Sequence, residues 1–151
     1  VGIMKIVSAC LVGINCNYKS ENKLNPKIYE DFEKGGLFPV CPEVFGGQPI
    51  PRPPAEIRNG TGLDVLEGKA KVINPDGSNV TSYFVKGAFE VLKIAKTIGA
   101  KEAILKARSP SCGCGKTYDG TFSGILIKGD GVTTALLKKN GIKVYTEENF
   151  R

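Results

Sequence analysis

Residues 81–115 read TSYFVKGAFEVLKIAKTIGAKEAILKARSPSCGCG, and three kinds of local order follow one another along them. Phe84, Ala88, Leu92 and Ala95 recur at helical spacing, with Val91 and Ile98 beside them. Thr81 is placed to cap this helix and Gly99 to end it. Glu102 to Ala107 carries the apolar run Ala103-Ile104-Leu105, the length of a buried strand. From Lys106 to Gly115 the chain then breaks into small, polar and turn-forming residues, with two cysteines and two cationic side chains. A loop of that kind packs little and is suited to holding a metal, an anion or a substrate. A helix, a strand and then a ligand-ready loop point to an α/β unit.

The alternation continues outward. Met4 to Ala9 predicts a short buried strand that ends at Cys10. Leu11 to Leu24, with Cys16 inside it, is polar and loop-like. Asn25 and Pro26 predict a helix start, Ile28, Tyr29 and Phe32 its apolar face, and Gly35-Gly36 its stop. Leu37 to Val40 is a second strand, ending at Cys41. Pro42 to Gly62 is dense in proline and glycine, which predicts an irregular but stiff wall beside a site. Leu63–Glu67 and Ala70–Ile73 are expected as strands of a hairpin, followed by a turn at Pro75-Asp76-Gly77. Tyr118-Asp119-Gly120 is a turn, and Thr121 to Ile127 a short extended segment. Asp130 is expected to cap a helix carrying Val132, Ala135, Leu136 and Leu137, with Ile142 to Tyr145 as the last strand.

The expected fold is therefore α/β: a Rossmann-like open, mainly parallel sheet flanked by helices, with a small hairpin insertion. One domain is expected over residues 1–151, a length that supports a real core. Val1-Gly2-Ile3, ahead of Met4, are expected to be a cloning remnant. No apolar run approaches the ~18 residues of a membrane span, and no secretory leader is visible, so a cytoplasmic protein without a membrane partner is expected. The net charge of +6 is spread along the chain, with no basic block longer than Lys138-Lys139. A solvated basic surface explains it better than a nucleic-acid interface does.

Five cysteines and no histidine constrain the chemistry most. In a reducing compartment five thiols do not make a disulfide framework. Without histidine there is no Cys/His zinc site and no histidine-based triad. A general base must then be a carboxylate, lysine, tyrosine or thiol. Cys10 and Cys41 end two predicted strands, and Cys112 lies in the loop after a third. If those strands are parallel, all three thiols gather at one sheet edge, where ligand sites form. Three converging thiolates predict a soft metal centre, zinc or an iron–sulfur cluster with one iron open for chemistry. Cys16 and Cys114 are either further ligands or inert buried thiols. Gly115-Lys116-Thr117 looks like the end of a phosphate-binding loop. That motif needs a glycine five positions earlier, where Pro110 stands, and a helix afterwards, where a turn follows.

Several stretches are similar to the thiouracil desulfidase family of small bacterial proteins. They are Ser8-Ala9-Cys10-Leu11-Val12-Gly13, Val40-Cys41-Pro42-Glu43-Val44-Phe45-Gly46-Gly47, Pro51-Arg52-Pro53-Pro54-Ala55-Glu56, Lys106-Ala107-Arg108-Ser109-Pro110-Ser111-Cys112-Gly113 and Tyr118-Asp119-Gly120-Thr121-Phe122. The resemblance covers nearly the whole chain. One departure is Asn17-Tyr18-Lys19-Ser20, where the family often has Arg-Tyr-Asp-Gly.

The resemblance implies a 4Fe-4S cluster on Cys10, Cys41 and Cys112, expected to be lost or replaced in protein prepared in air. It implies desulfuration of a thiolated pyrimidine such as 2-thiouracil, with the thiocarbonyl sulfur on the open iron and hydrogen sulfide released without net redox change. Glu43 is then the expected general base. Ser109 is expected to bind the pyrimidine or the attacking water, with Ser111 as a second substrate-binding residue. Arg52, Glu56 and Arg108 are expected to pair with one another and brace the proline-rich wall. Tyr118 and Phe122 are placed either to stack on a base or to pack in the core. A thiolated tRNA is a weaker substrate candidate. The competing readings are a non-catalytic cysteine-rich zinc or RNA-binding module, and a thiol redox protein using Cys112-Gly113-Cys114.

Overall fold

Strand β1 (Lys5–Ser8) runs through the centre of the molecule, and Ile6 and Val7 on its two faces are both fully buried. The computed structural model to which it belongs describes residues 3–150, so Val1 and Gly2 of the expected remnant lie outside the described residues. After β1 come a 3-10 turn (Ala9–Val12), helix α1 (Pro26–Glu33), β2 (Leu37–Val40), α2 (Pro42–Phe45), β3 (Glu56–Arg58), α3 (Gly62–Leu66) and β4 (Lys71–Ile73). Then follow α4 (Thr81–Ile98), β5 (Glu102–Leu105), β6 (Lys116–Tyr118), β7 (Leu126–Lys128), α5 (Val132–Lys139) and β8 (Lys143–Thr146).

The main sheet has the order β2-β1-β5-β8, and every pairing in it is parallel. Ile6, Ala103 and Leu105 face one layer built on α4 and α5. Val7 and Ile104 face the other, built on α1 and the 3-10 turn. This two-sided burial is what a parallel sheet requires. Along α4 the 3.6-residue spacing puts Phe84, Ala88, Val91 and Ala95 on the sheet with no exposed surface. Burying a side chain as large as Phe84 contributes about 1.5–3 kcal/mol. Asn25 accepts the N–H groups of Lys27 and Ile28 at 3.1 and 3.2 Å, so α1 starts as its Asn-Pro pair predicts. Gly99 ends α4 in the left-handed conformation (φ 71°).

The insertion hairpin differs from the expected one. It is formed by β3 and β4, with Glu56 opposite Ile73 and Arg58 opposite Lys71. Leu63–Glu67 is not a strand, because α3 occupies it. The Asp64 carboxylate accepts the Thr61 N–H at 2.9 Å and the Thr61 hydroxyl at 3.1 Å, which caps that turn. The proline-rich stretch is likewise not irregular throughout, since it contains α2 and β3. Asp130 does not cap α5, where Gly131 takes that position. Its carboxylate instead accepts the Gly115 N–H at 2.8 Å and pairs with Lys138 at 3.0 Å, tying two loops together. Thr81 is the first residue of α4 rather than its cap, and its hydroxyl accepts the Val72 N–H at 2.9 Å. Of Thr121 to Ile127 only the last two residues are extended, in β7, which pairs with β6.

One contact sets the position of the site. A Cβ on Gly46 would overlap the Tyr83 carbonyl, and one on Gly87 would overlap the carbonyl of Pro42. The backbones of α2 and α4 therefore touch directly, which only glycine permits at both positions. This seats α2, with Cys41 before it and Glu43 inside it, at the carboxyl edge of the sheet. Among the described residues no helix is long and apolar enough to cross a membrane.

Candidate metal centre

Because β1, β2 and β5 are parallel, their carboxyl ends share one edge. Cys10 lies in the 3-10 turn directly after β1. Cys41 follows β2 and precedes α2, where its carbonyl accepts the Phe45 N–H at 2.9 Å. Cys112 is in the loop after β5. The three thiols line one cavity of about 530 Å³, together with Cys16, Glu43 and Ser109. That volume lies within the ordinary range for small-molecule sites.

The loop that carries Cys112 is held from both ends. On its far side the Ser109 hydroxyl oxygen accepts the N–H groups of Ser111 and Cys112 at 3.1 and 3.0 Å. Thr134 of α5 donates its hydroxyl to the Cys112 carbonyl at 2.8 Å. On its near side Glu147, just past β8, accepts the Ala107 N–H at 2.8 Å and pairs with Lys106 at 2.8 Å. Arg108 has a left-handed backbone (φ 65°) and is paired with Glu148 at 2.9 Å. Such a backbone in a non-glycine residue costs about 1–3 kcal/mol and persists only where its surroundings enforce it.

Burial governs the charge on the thiols. It pushes Cys10 up to about 11, with Cys41 adding to the rise and Lys106 opposing it. Burial likewise raises the Cys112 thiol far above its usual range, against a hydrogen bond from Ser8. Cys41 goes the other way, down to about 7, because the Cys16 thiol donates a hydrogen bond to its thiolate; burial opposes this, and the Val44 N–H and Arg52 assist. The same bond raises Cys16. As a thiol, Cys41 donates instead to the Cys16 carbonyl at 3.6 Å. Arg52 is 7% exposed and fully engaged: its Nε meets Glu43 Oε2 at 3.0 Å, its Nη1 the Pro49 carbonyl at 3.2 Å, and its Nη2 the Cys16 carbonyl at 3.0 Å.

These environments predict ordered reactivity in metal-free protein. Labelling of Cys41 by iodoacetamide should rise with a midpoint near pH 7, while Cys10, at about 11, and Cys112 stay largely unmodified at neutral pH. Peptide mass spectrometry across a pH series reads this directly. Equal labelling of Cys10 and Cys41 at pH near 7 contradicts it.

Among the described residues no three His, Cys, Asp or Glu side chains stand close enough to share one metal ion. Cys10, Cys41 and Cys112 line one cavity from three separate segments of the chain. Zinc needs its ligands on one centre, whereas an iron–sulfur cluster takes each thiolate on a separate iron. Three thiols around one cavity fit a cluster of that kind. Burial that disfavours bare thiolates at Cys10 and Cys112 also favours their pairing with a cationic metal group.

The remaining expected residues divide. Glu43 and Ser109 line the cavity. Ser111 is fully buried, its hydroxyl 2.9 Å from that of Thr133, and it does not line the cavity. In this structure it lies behind Cys112, away from the cavity surface. Cys114 points its sulfur at the Val144 carbonyl, 3.6 Å away. Arg52, Glu56 and Arg108 do not pair with one another: Arg52 holds Glu43, Arg108 holds Glu148, and Glu56 accepts backbone N–H groups of Gly120 and Phe122. Tyr118 and Phe122 line the cavity. Three contributors were missed in the sequence: Ser8, Cys16 as the neighbour of Cys41, and the Glu147-Glu148 pair. A signal for the last existed, because two acids directly after the final parallel strand arrive at the edge where Lys106 and Arg108 lie.

Comparison with known proteins adds three likenesses. The family model described as 2-thiouracil desulfurase matches residues 6–149. "Uncharacterized protein YbbK" of Bacillus subtilis (strain 168) is 47% identical over 147 residues, which is 97% of this chain and 97% of that protein. Among solved structures, the 4Fe-4S-dependent thiouracil desulfidase TudS superposes with a TM-score of 0.87 at 39% identity, over 97% of this chain and 92% of that one.

Proposed function

We propose, for a chain that belongs to the 2-thiouracil desulfurase family, that it converts a 2-thiouracil-like pyrimidine to the oxo base and releases hydrogen sulfide. The proposal assigns a 4Fe-4S cluster to Cys10, Cys41 and Cys112. The observation that carries it is the meeting of three strand-end thiols and Glu43 around one cavity. The dependence on a 4Fe-4S cluster of the solved relative TudS supports it. So does a family match that runs over 6–149, as expected if the activity resides in one domain.

When bound, a cluster on three cysteines supplies an iron without a protein ligand, a Lewis acid with affinity for soft sulfur. The chain's own residues do the rest. Tyr118 and Phe122 offer aromatic faces to a planar ring. Arg52 fixes Glu43 through Oε2, which leaves Oε1 to take a proton from water. Ser109 uses its oxygen on two backbone N–H groups and keeps its hydroxyl hydrogen for the pyrimidine or the water. Water adds to the thiocarbonyl carbon, the C–S bond breaks, and both hydrogens of that water leave on sulfur. No electron is gained or lost. Ser111 acts behind Cys112 as a support.

The substrate is a small thiolated pyrimidine. A thiolated tRNA is the wider possibility, resting on the net charge of +6 alone. We place the reaction in the cytoplasm, whose reducing conditions keep five thiols free. Anaerobic reconstitution with iron and sulfide tests all of this. The loaded protein should be brown, hold about four irons per chain, and release sulfide and uracil in equal amounts from 2-thiouracil. Assays with thiouridine and thiolated tRNA rank the substrates. No sulfide from cluster-loaded protein with any of the three overturns the reading.

A further inference from the structure

The connection between β6 and β7, from Asp119 to Ile125, forms one wall of the cavity through Phe122 and Gly124, with Tyr118 at its base. Its backbone is unusual. Gly120, Phe122 and Gly124 all have positive φ, at 92°, 57° and 79°. Glycine adopts that region freely, whereas a bulky side chain does not. Inside the connection Asp119 accepts the Thr121 N–H at 2.9 Å and its hydroxyl at 2.6 Å, but the Phe122 N–H is held from outside.

Glu56 does so. It stands at the start of β3, on the cavity wall, and one oxygen of its carboxylate accepts the Gly120 N–H at 3.0 Å and the Phe122 N–H at 3.1 Å. No lysine or arginine pairs with it among the described residues. The backbone at Gly120 also lies against β3, since a Cβ there would overlap the Ile57 carbonyl. A half-buried carboxylate thus bonds the main chain of a cavity wall instead of a cation.

We propose that Glu56 is a positioning residue: by latching Gly120 and Phe122 it fixes the Phe122 ring as a flat wall, and so makes the site selective for planar ring thiocarbonyls over acyclic ones. This rests on the desulfidase reading of the cavity. It assigns the specificity to a contact that does not itself touch the substrate.

The test compares Glu56→Gln, Glu56→Ala and Phe122→Leu with the unaltered protein, each loaded with its cluster. Glu56→Ala should raise KM for 2-thiouracil about tenfold with a smaller change in kcat, the loss expected when an aromatic contact is misplaced. Its kcat/KM for thioacetamide should stay unchanged, so the preference for the ring falls by the same factor. Glu56→Gln should behave as unaltered protein, because an amide oxygen accepts the same two N–H groups. Phe122→Leu should raise KM with the latch intact. Hydrogen exchange on cluster-free protein reads the latch independently: the Gly120 and Phe122 amides should exchange faster in Glu56→Ala alone. Unchanged KM and unchanged exchange in Glu56→Ala overturn the proposal, as does Glu56→Gln failing like Glu56→Ala. If the unaltered protein releases no sulfide, the desulfidase reading falls, and the exchange result still decides the latch.

Discussion

Cys10→Ala, Cys41→Ala and Cys112→Ala should each abolish cluster retention and lower sulfide release from 2-thiouracil by more than about 10²-fold, since disturbing only a metal's outer partners already costs 10–100-fold. Cys10 follows β1, Cys41 follows β2 and Cys112 lies in the loop after β5, so none of the three can stand in for another. Cys16 stands beside Cys41 on the cavity wall, so the Cys41→Ala result is read beside the double variant Cys16→Ala, Cys41→Ala. Cys114→Ala should leave iron content and rate unchanged, because its sulfur faces the Val144 carbonyl outside the cavity. That contrast also separates the cluster from a redox role for Cys112-Gly113-Cys114, in which Cys114 would be essential. Iron and sulfide analysis, visible absorption and the sulfide assay report the outcome. Melting curves of the cluster-free variants show whether Cys112→Ala, which alters a core position, has damaged the fold instead. Full activity after any of the three ligand changes would exclude a three-cysteine cluster.

Glu43→Gln should lower kcat by about 10²–10⁴-fold, the usual contribution of a general base, while iron content stays at the unaltered level. Glutamine is the informative replacement. Glu43 is the carboxylate partner of Arg52, whose side chain is 3% exposed. Alanine would leave that cation buried without its partner, at about 3–5 kcal/mol, and any loss of rate would then be confounded with loss of structure. The glutamine oxygen still accepts from Arg52 Nε, so the α2 wall and the Arg52 bond to the Cys16 carbonyl persist. A kcat within about threefold of the unaltered enzyme would make Glu43 a structural partner of Arg52 and leave the base unassigned.

The elements that local chemistry specifies were legible. The Asn25-Pro26 start, the α4 periodicity and the Gly99 stop lie within a few residues of the bonds they make. The cysteines at the ends of apolar runs were legible too, and so was the idea that parallel strands would gather them. The errors occurred where two local readings compete. Leu63–Glu67 is apolar enough for a strand, yet the Thr61–Asp64 cap turns it into α3. Asp130 resembles a cap, yet Gly115 and Lys138 claim its carboxylate. Apart from those errors, Ser111 sits beside Cys112 in sequence, and the turn held by Ser109 sets its hydroxyl against Thr133.

Sequence alone was enough to point to soft-metal chemistry on thiols and to exclude a histidine base, since the chain has five cysteines and no histidine. Residue type and short-range pattern carry that information. Which partners meet is another matter. Glu56 reaches Gly120 and Phe122 across 64 and 66 positions, and Lys106 meets Glu147 only once β8 lies beside β5. The Lys106 pairing depends on strand order and register in the parallel sheet, which follow from burying both its faces at once, and the Glu56 contacts depend on how the β3–β4 hairpin packs against the β6–β7 hairpin. They are properties of the closed core, and no stretch of chain contains them by itself.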